Sequence, residues 1–290
     1  MNSACDTLGQ YIWPDETAAA LKTRLTFIWN KLKIEKPTSI LDIGCGTGEH
    51  LTSYLAMLFP GVVILGVDTD KASIDLASNK YNHLKNLTFS TGLPPNRVFD
   101  AIIASEVLEH VDNPYQFLLS IRSVLKDGGM LIVTVPNGYG CSEIMSLTEV
   151  LLNLTGVITA LKKLRRRMKG RHEVIEVPLR DTMAISPHVN FFSFQRVRSL
   201  FKYTGFELQS YRGRMLLHNF ICSRVIDKSE RLADWNARMG AIVPATLVSD
   251  WMFTLKKIPH FYENAPLIYQ RNFYERVKRY LNNRRYGLTN

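Results

Sequence analysis

From Thr38 to Pro136, short apolar runs alternate with stretches in which apolar residues recur every three or four positions. "SILDIG", "VVILGVD", "LTFS", "FDAIIAS" and "MLIVTVP" are almost continuously apolar, as strands covered on both faces of a parallel sheet must be. Between them, "TGEHLTSYLAMLF", "DKASIDLASNKYNHL" and "NPYQFLLSIRSVLK" carry helical spacing, and the last closes on "DGG", a helix stop. This alternation predicts an α/β fold, a doubly wound and mostly parallel sheet with helices on both faces. "PDETAAALKTRLTFIWNKLKI" predicts a helix before the first strand, with Pro14 in its first turn.

Beyond Pro136 the rhythm breaks. Residues 139–186 hold no comparable strand and read as a helical lid insertion. "FSFQRVRSLFKYTGF" then predicts a sheet-covering helix, with Ser193 as N-cap and Gly205 at its end. "ELQSYRGRMLL" and "VSDWMFTLKK" predict two late strands, which bring the sheet to seven, joined by a largely helical excursion over 226–247. The expected organisation is an N-terminal helical segment (1–37), a ligand-binding core (38–138), the lid (139–186), the rest of the core (187–258) and a basic, aromatic C-terminal extension (259–290).

The first strand runs into a turn with three glycines, Gly44, Gly46 and Gly48, that opens the first helix. In an open α/β sheet, that position at the carboxyl end of a strand is where ligands bind. The spacing is G-x-G-x-G, preceded by Asp42. A dinucleotide fingerprint places its third glycine one residue later, where this chain has Glu49. A negative side chain there suits a cationic, phosphate-free ligand better than a pyrophosphate. Asp68, at the tip of the second strand, is placed to accept hydrogen bonds from both hydroxyls of a ribose. A nucleoside without phosphates that carries a sulfonium and an amino acid is S-adenosyl-L-methionine.

"LDIGCGTG", "GVD", "FDAIIASEVLEHVDNP" and "LKDGGMLIVTVPN" together resemble the successive motifs of class I S-adenosylmethionine-dependent methyltransferases. The resemblance is to the group that includes ubiquinone-biosynthesis O-methyltransferases and many sugar and natural-product methyltransferases. It covers residues 38–136 well and 187–209 more thinly. It implies the Rossmann-like methyltransferase fold, with Asp42, Gly44, Cys45, Gly46, Gly48, Asp68, Thr69, Gly92, Leu93 and Ser105 around the cofactor. The family often has an acidic residue after the third strand to meet the adenine amino group. This chain has Thr91-Gly92-Leu93 instead, so a backbone group or a hydroxyl serves there.

Methyl transfer from a sulfonium is an in-line displacement by a positioned nucleophile, and a hydroxyl must also lose its proton. The resemblance places Ser105 and Glu106 beside the cofactor and His110 toward the acceptor. His110 is then a general base, assisted by Glu106, or simply packs the following helix. Glu106, Glu109 and His110, spaced E-x-x-E-H, are also oxygen and nitrogen donors suited to Mg2+ or another divalent cation. The same spacing occurs in ubiquinone O-methyltransferases and small-RNA 2′-O-methyltransferases, where a downstream histidine completes the site. His188 stands at the matching place here. The expected reaction is O-methylation of a sugar, lipid-linked or natural-product hydroxyl. N-methylation, or a non-catalytic module that binds the nucleoside, are the alternatives.

Charge adds one further question. The formal net charge is +10 over 290 residues, and the basic residues gather at 162–171 and 271–285. Such clusters attract phosphates or anionic membranes, or are simply solvated helix faces. The lid's apolar stripe at Leu147, Val150, Leu151, Leu154, Ile158 and Leu161 reads as a cover for the site, a homodimer contact, or a peripheral membrane contact through 144–171. Nucleic acid is not the expected partner, because no RNA-binding module is recognisable. Cys5, Cys45, Cys141 and Cys222 lack metal or disulfide spacing and no secretion signal is evident, so the expected location is cytoplasmic or peripheral at a membrane.

Overall fold

A computed structural model describes residues 18–94, 97–140, 188–217, 226, 229–259, 261 and 272–285. Pro14, the lid stripe, the basic run at 162–171, and Cys5, Cys141 and Cys222 lie outside the described residues. The elements are α1 (Ala18–Glu35), β1 (Ser39–Ile43), α2 (Thr52–Leu58), β2 (Val63–Val67), α3 (Lys71–Lys80), β3 (Leu87–Ser90) and β4 (Phe99–Ser105). They continue with α4 (Pro114–Ser123), β5 (Leu125–Pro136), α5 (Phe194–Tyr203), β6 (Phe206–Gly213), α6 (Glu230–Ile242), β7 (Asp250–Lys257) and α7 (Phe273–Arg285).

The seven strands form one sheet in the order β3-β2-β1-β4-β5-β7-β6. β1 to β5 pair in parallel, and β7 runs antiparallel to both β5 and β6. The doubly wound seven-stranded sheet is therefore as the alternation of the sequence predicts. The chain moves outward through β1, β2 and β3, then returns to β4 on the other side of β1. That reversal opens a crevice at the carboxyl ends of β1 and β4.

Alternate residues of each strand feed two separate cores. Leu41, Ile43, Ile102, Ala104, Leu131 and Val133 face α4 and α5, together with Leu118, Ile121, Val197 and Phe201. Ile40, Ala101, Ile103, Met130 and Ile132 face the other way, onto Leu21, Leu25, Ile28 and Leu32 of α1. Burial on both faces explains why the strands read as continuous apolar runs.

The helix caps follow local chemistry. Ser193 accepts from the Arg196 backbone N–H at 3.3 Å at the start of α5, and Gly205 ends it at φ +74°. Asn113 accepts from the N–H groups of Tyr115 and Gln116, and Pro114 takes the first turn of α4. One boundary differs from expectation: α4 stops at Ser123 and not at "DGG". Leu125 is fully buried and already pairs with Phe99, so core packing claims it for β5, with an irregular register between Phe99 and Ala101.

Candidate active site

The glycine turn is held by two amides: Gly44 N–H and Cys45 N–H both donate to the Val67 carbonyl, at 2.7 and 3.1 Å. This ties the end of β1 to the end of β2. Gly44, Gly46 and Gly48 all have positive φ, between +53° and +74°. Their reasons differ. A Cβ on Gly44 would stand 2.5 Å from Val107 Cγ2, and one on Gly48 would stand 2.8 Å from Phe89 Cζ. Nothing lies within 4 Å of where a Cβ on Gly46 would be. Two of the glycines thus admit other parts of the protein, and only Gly46 borders open space.

Asp68 lies at the tip of β2, half-buried. Its Oδ2 accepts from Gly46 N–H at 2.8 Å and its Oδ1 from Asp70 N–H at 2.9 Å, so the carboxylate is oriented toward the turn. Asp70 then caps α3 by accepting from Ser73. Thr69 is exposed at the same edge. Gly92 is exposed beyond β3, bonded through both its N–H and its carbonyl to the Ser90 hydroxyl, and Leu93 packs on the core.

Two acidic side chains beside the turn have partners within the protein. Asp42 is 2% exposed and accepts from the Thr52 hydroxyl at 2.7 Å, beneath the turn. It supports the loop from within. Burial pushes its pKa up to about 7, against the Thr52 hydrogen bond and the nearby Arg24 charge. Glu49 pairs with Lys80 across the mouth of the same turn. Cys45 is half-buried, and burial, with Asp42 and Asp68 near, pushes its thiol up and away from reactivity.

At the end of β4, Glu106 adopts φ +57°, a left-handed conformation that a non-glycine residue holds only when its surroundings fix it. Its N–H donates to the Thr134 carbonyl at 3.0 Å, and the Thr134 hydroxyl donates to Glu106 Oε1 at 2.6 Å. With that proton committed, Thr134 Oγ1 accepts from Ser105 Oγ at 3.0 Å. Arg214 Nη2 stands 3.8 Å from Glu106 Oε2 and 3.0 Å from Asp250 Oδ1, with its Nε donating to Asp250 Oδ2 at 3.2 Å. Arg214, 2% exposed, follows β6, and Asp250 opens β7, so both reach the same sheet edge as Glu106.

One turn further, the carboxylate of Glu109 is 1% exposed, and neither oxygen has a hydrogen-bond partner among the described residues. Burial pushes its pKa up to about 8, reinforced by Glu106 and opposed by His188. Glu109, His110 and His188 each offer one donor atom within 4.8 Å of the others. The two imidazoles stand edge to face at 5.0 Å. His188 is brought there by its neighbours: Val189 and Asn190 both donate their N–H to the Glu109 carbonyl, at 2.8 and 3.0 Å. The buried Asn190 amide bridges the carbonyls of Leu108 and Val111. Of the four expected metal ligands, three converge. Glu106 does not join them, because Thr134 and Arg214 hold it.

Sequence reasoning missed Arg214, Asp250, Thr134 and Asn190. Thr134 did leave a trace, as the one hydroxyl in the apolar run "MLIVTVP". Nothing local marks Arg214 or Asp250, whose meaning depends on the pairing of β6 with β7.

Comparison with known proteins agrees with this arrangement. The family description that matches the chain is a methyltransferase domain, over residues 15–211. A malonyl-[acyl-carrier protein] O-methyltransferase of Halalkalibacterium halodurans is 33% identical over 106 residues, 34% of this chain and 39% of that protein. A ubiquinone biosynthesis O-methyltransferase of Rickettsia felis is 32% identical over 139 residues, 43% of this chain and 56% of that protein. The chain thus spans between about two-fifths and somewhat over half of these curated relatives. The crystal structure of an S-adenosylmethionine-dependent methyltransferase from Clostridium acetobutylicum superposes with TM-score 0.51 at 14% identity, over 82% of this chain and 92% of that one, and shares the fold. With the family match spanning well over half of its length, the chain belongs to the class I S-adenosylmethionine-dependent methyltransferases.

Proposed function

We propose that this protein is an O-methyltransferase whose acceptor hydroxyl, on a small or lipid-linked molecule, is bound at Glu109, His110 and His188. One observation carries the reading. A carboxylate whose two buried oxygens have no hydrogen-bond partner among the described residues lies within 4.8 Å of two imidazole nitrogens, in the segment after β4 whose Val107 approaches Gly44 of the glycine turn. Leaving such oxygens unmatched is costly, so they point to something that binds there. Two curated relatives named as O-methyltransferases support oxygen over nitrogen as the acceptor atom.

The cofactor supplies a methyl group already activated on a sulfonium, and the protein's work is alignment and deprotonation. Asp68 is oriented by Gly46 and Asp70 for the ribose, and Gly46 leaves the room a nucleoside needs. Ser105 and Glu106, at the end of β4 and just before the donor cluster in the chain, are fixed through Thr134. Arg214 balances the charges of Glu106 and Asp250. A divalent cation, held by Glu109, His110 and His188, would lower the pKa of an acceptor hydroxyl and fix its position.

A second reading has His110 as a metal-free base. Its Nε2 stands 3.9 Å from Glu109 Oε1, and its ring is 28% exposed. Methyl transfer from labelled S-adenosylmethionine to hydroxylated acceptors, with and without chelator, tests both. The cation reading expects activity abolished by chelator and restored by added Mg2+ or Mn2+. Chelator-insensitive activity lost in His110→Ala would establish the base instead. No transfer to any oxygen acceptor, with transfer to amines, would overturn the assignment to O-methylation.

A further inference from the structure

The C-terminal helix α7 docks on the rest of the protein through charges. Glu275 is fully buried and Lys278 is 2% exposed, while Phe273 on the opposite side is 81% exposed. Hydrophobic burial is non-directional, whereas hydrogen bonds and ion pairs hold only in a particular geometry. The segments that α7 grips through these groups are therefore set in place.

Those segments frame the donor cluster. Lys278 Nζ donates to the Gly138 carbonyl at 3.1 Å and stands 4.1 Å from the centroid of the Phe191 ring. Glu275 pairs with Arg196 in the first turn of α5. Tyr139 stacks on Tyr274 at 5.0 Å, and the Asn272 amide donates to the Tyr139 hydroxyl at 2.9 Å. The loop after β5 and the arm that carries His188 are also stitched to each other. Gly138 N–H donates to the Phe192 carbonyl at 3.0 Å, and a Cβ on Gly138 would stand 2.7 Å from the Phe191 backbone. The Phe191 ring, 1% exposed, lies 6.5 Å from the His188 imidazole, which is 5.0 Å from that of His110. A line of neighbouring side chains thus runs from Lys278 through Phe191 and His188 to His110.

We propose that Lys278 is a positioning residue, which sets the His188 imidazole in the donor cluster by fixing the Phe191 ring and the loop after β5 against it. An ammonium is costlier to desolvate than an apolar side chain of similar volume, so anchoring alone would be served as well by methionine. What the ammonium adds is direction. It binds a carbonyl of one segment and the ring of the next at once. The inference rests on the reading of Glu109, His110 and His188 as the acceptor site, and its first readout needs neither acceptor nor cation.

That readout is the nuclear magnetic resonance spectrum of the imidazoles in the full chain, isotope-labelled at the histidine nitrogens and saturated with S-adenosylhomocysteine. His188→Gln and His110→Gln assign the signals. In Lys278→Met the His188 signals should shift or broaden, while those of His83, between α3 and β3, stay as in the native protein. Lys278→Arg, which keeps a cation for the ring, should lie closer to native. S-adenosylhomocysteine affinity within about threefold of native shows that each variant is folded. Mn2+ titrated into the same samples gives a second readout: where the native protein binds it, Lys278→Met should bind at least tenfold more weakly. A native protein that ignores Mn2+ would count against the cation alone, and the imidazole spectrum would still decide on Lys278. Lys278→Gln carries the same comparison if Lys278→Met does not fold. Native His188 signals in the folded variant overturn the proposal. So does loss of S-adenosylhomocysteine binding in both Lys278→Met and Lys278→Gln, because Lys278 would then hold the fold as a whole.

Discussion

The imidazoles of His110 and His188 stand 5.0 Å apart, edge to face, although one follows β4 and the other precedes α5. Their meeting depends on a third residue that touches neither chemistry nor ligand. Asn190, 1% exposed, donates to the carbonyls of Leu108 and Val111 and pins the His188 arm across the loop that carries Glu109 and His110. Asn190→Ala removes both bonds and leaves two inward carbonyls unmatched, a loss of about 2–4 kcal/mol in stability. The acceptor side should suffer and the nucleoside side should not. Calorimetry should find S-adenosylmethionine affinity within about threefold of native, while methyl transfer falls at least tenfold. Equal losses in both would contradict the positioning role.

Two glycines of the turn, Gly44 and Gly46, should separate by mechanism. Gly44→Ala combines a left-handed backbone with a 2.5 Å approach to Val107, and should cost about 2–4 kcal/mol in thermal or denaturant unfolding. Gly46→Ala meets nothing, so its stability cost is limited to the backbone strain of about 1–2 kcal/mol, and its main effect falls on cofactor binding. A Gly46→Ala protein with native affinity for S-adenosylmethionine would show that the open space at Gly46 is not the nucleoside pocket.

Asp42 makes stability depend on pH. Its folded pKa of about 7 lies above the ordinary carboxylate value, so the folded state holds this proton more tightly than the unfolded one. Above pH 7 the buried charge costs up to about 4 kcal/mol. That cost shrinks as pH falls and vanishes below about pH 4. Asp42→Asn keeps an oxygen for the Thr52 hydroxyl and removes the titration. Relative to native protein, it should therefore gain stability from about pH 4 to pH 7 and level off above that. Parallel stability curves for the two proteins over that range would contradict this.

Arg214 holds two carboxylates in place at the sheet edge. Removing it as Arg214→Ala leaves Asp250 buried at 4% exposure without its cation, and should destabilise by about 3–5 kcal/mol. Arg214→Lys retains charge but not the two-pronged contact, so it should fold and transfer methyl slowly, because Glu106 loses its distant restraint. Native turnover in Arg214→Lys would show that Glu106 is set by Thr134 alone.

Much of this was legible along the chain, and what was hidden shares one cause. Strands such as "FDAIIAS" announce themselves because burial on both faces leaves no room for polar residues. The turn at Gly44–Gly48 and the acid at Asp68 lie within single strand–loop–helix units, where sequence spacing is also spatial spacing. The exclusion of Glu106 from the donor cluster could not be read, because Arg214 arrives from the far strand β6, through pairing with β7. The burial of Asp42 beneath the turn was hidden for a related reason. Its place beside the glycines in sequence says nothing of which face of the turn it occupies. The end of α4 moved inward because the core needs Leu125, a tertiary demand that outranked the local stop signal.

The proposed chemistry requires the donor cluster of Glu109, His110 and His188 to hold a cation. Isothermal calorimetry of Mn2+ into the chelator-stripped protein, with S-adenosylmethionine present, should give one cation per chain, and His188→Ala should abolish that heat while leaving S-adenosylmethionine binding intact. No detectable cation binding by the native protein, together with methyl transfer that chelator leaves untouched, would contradict it.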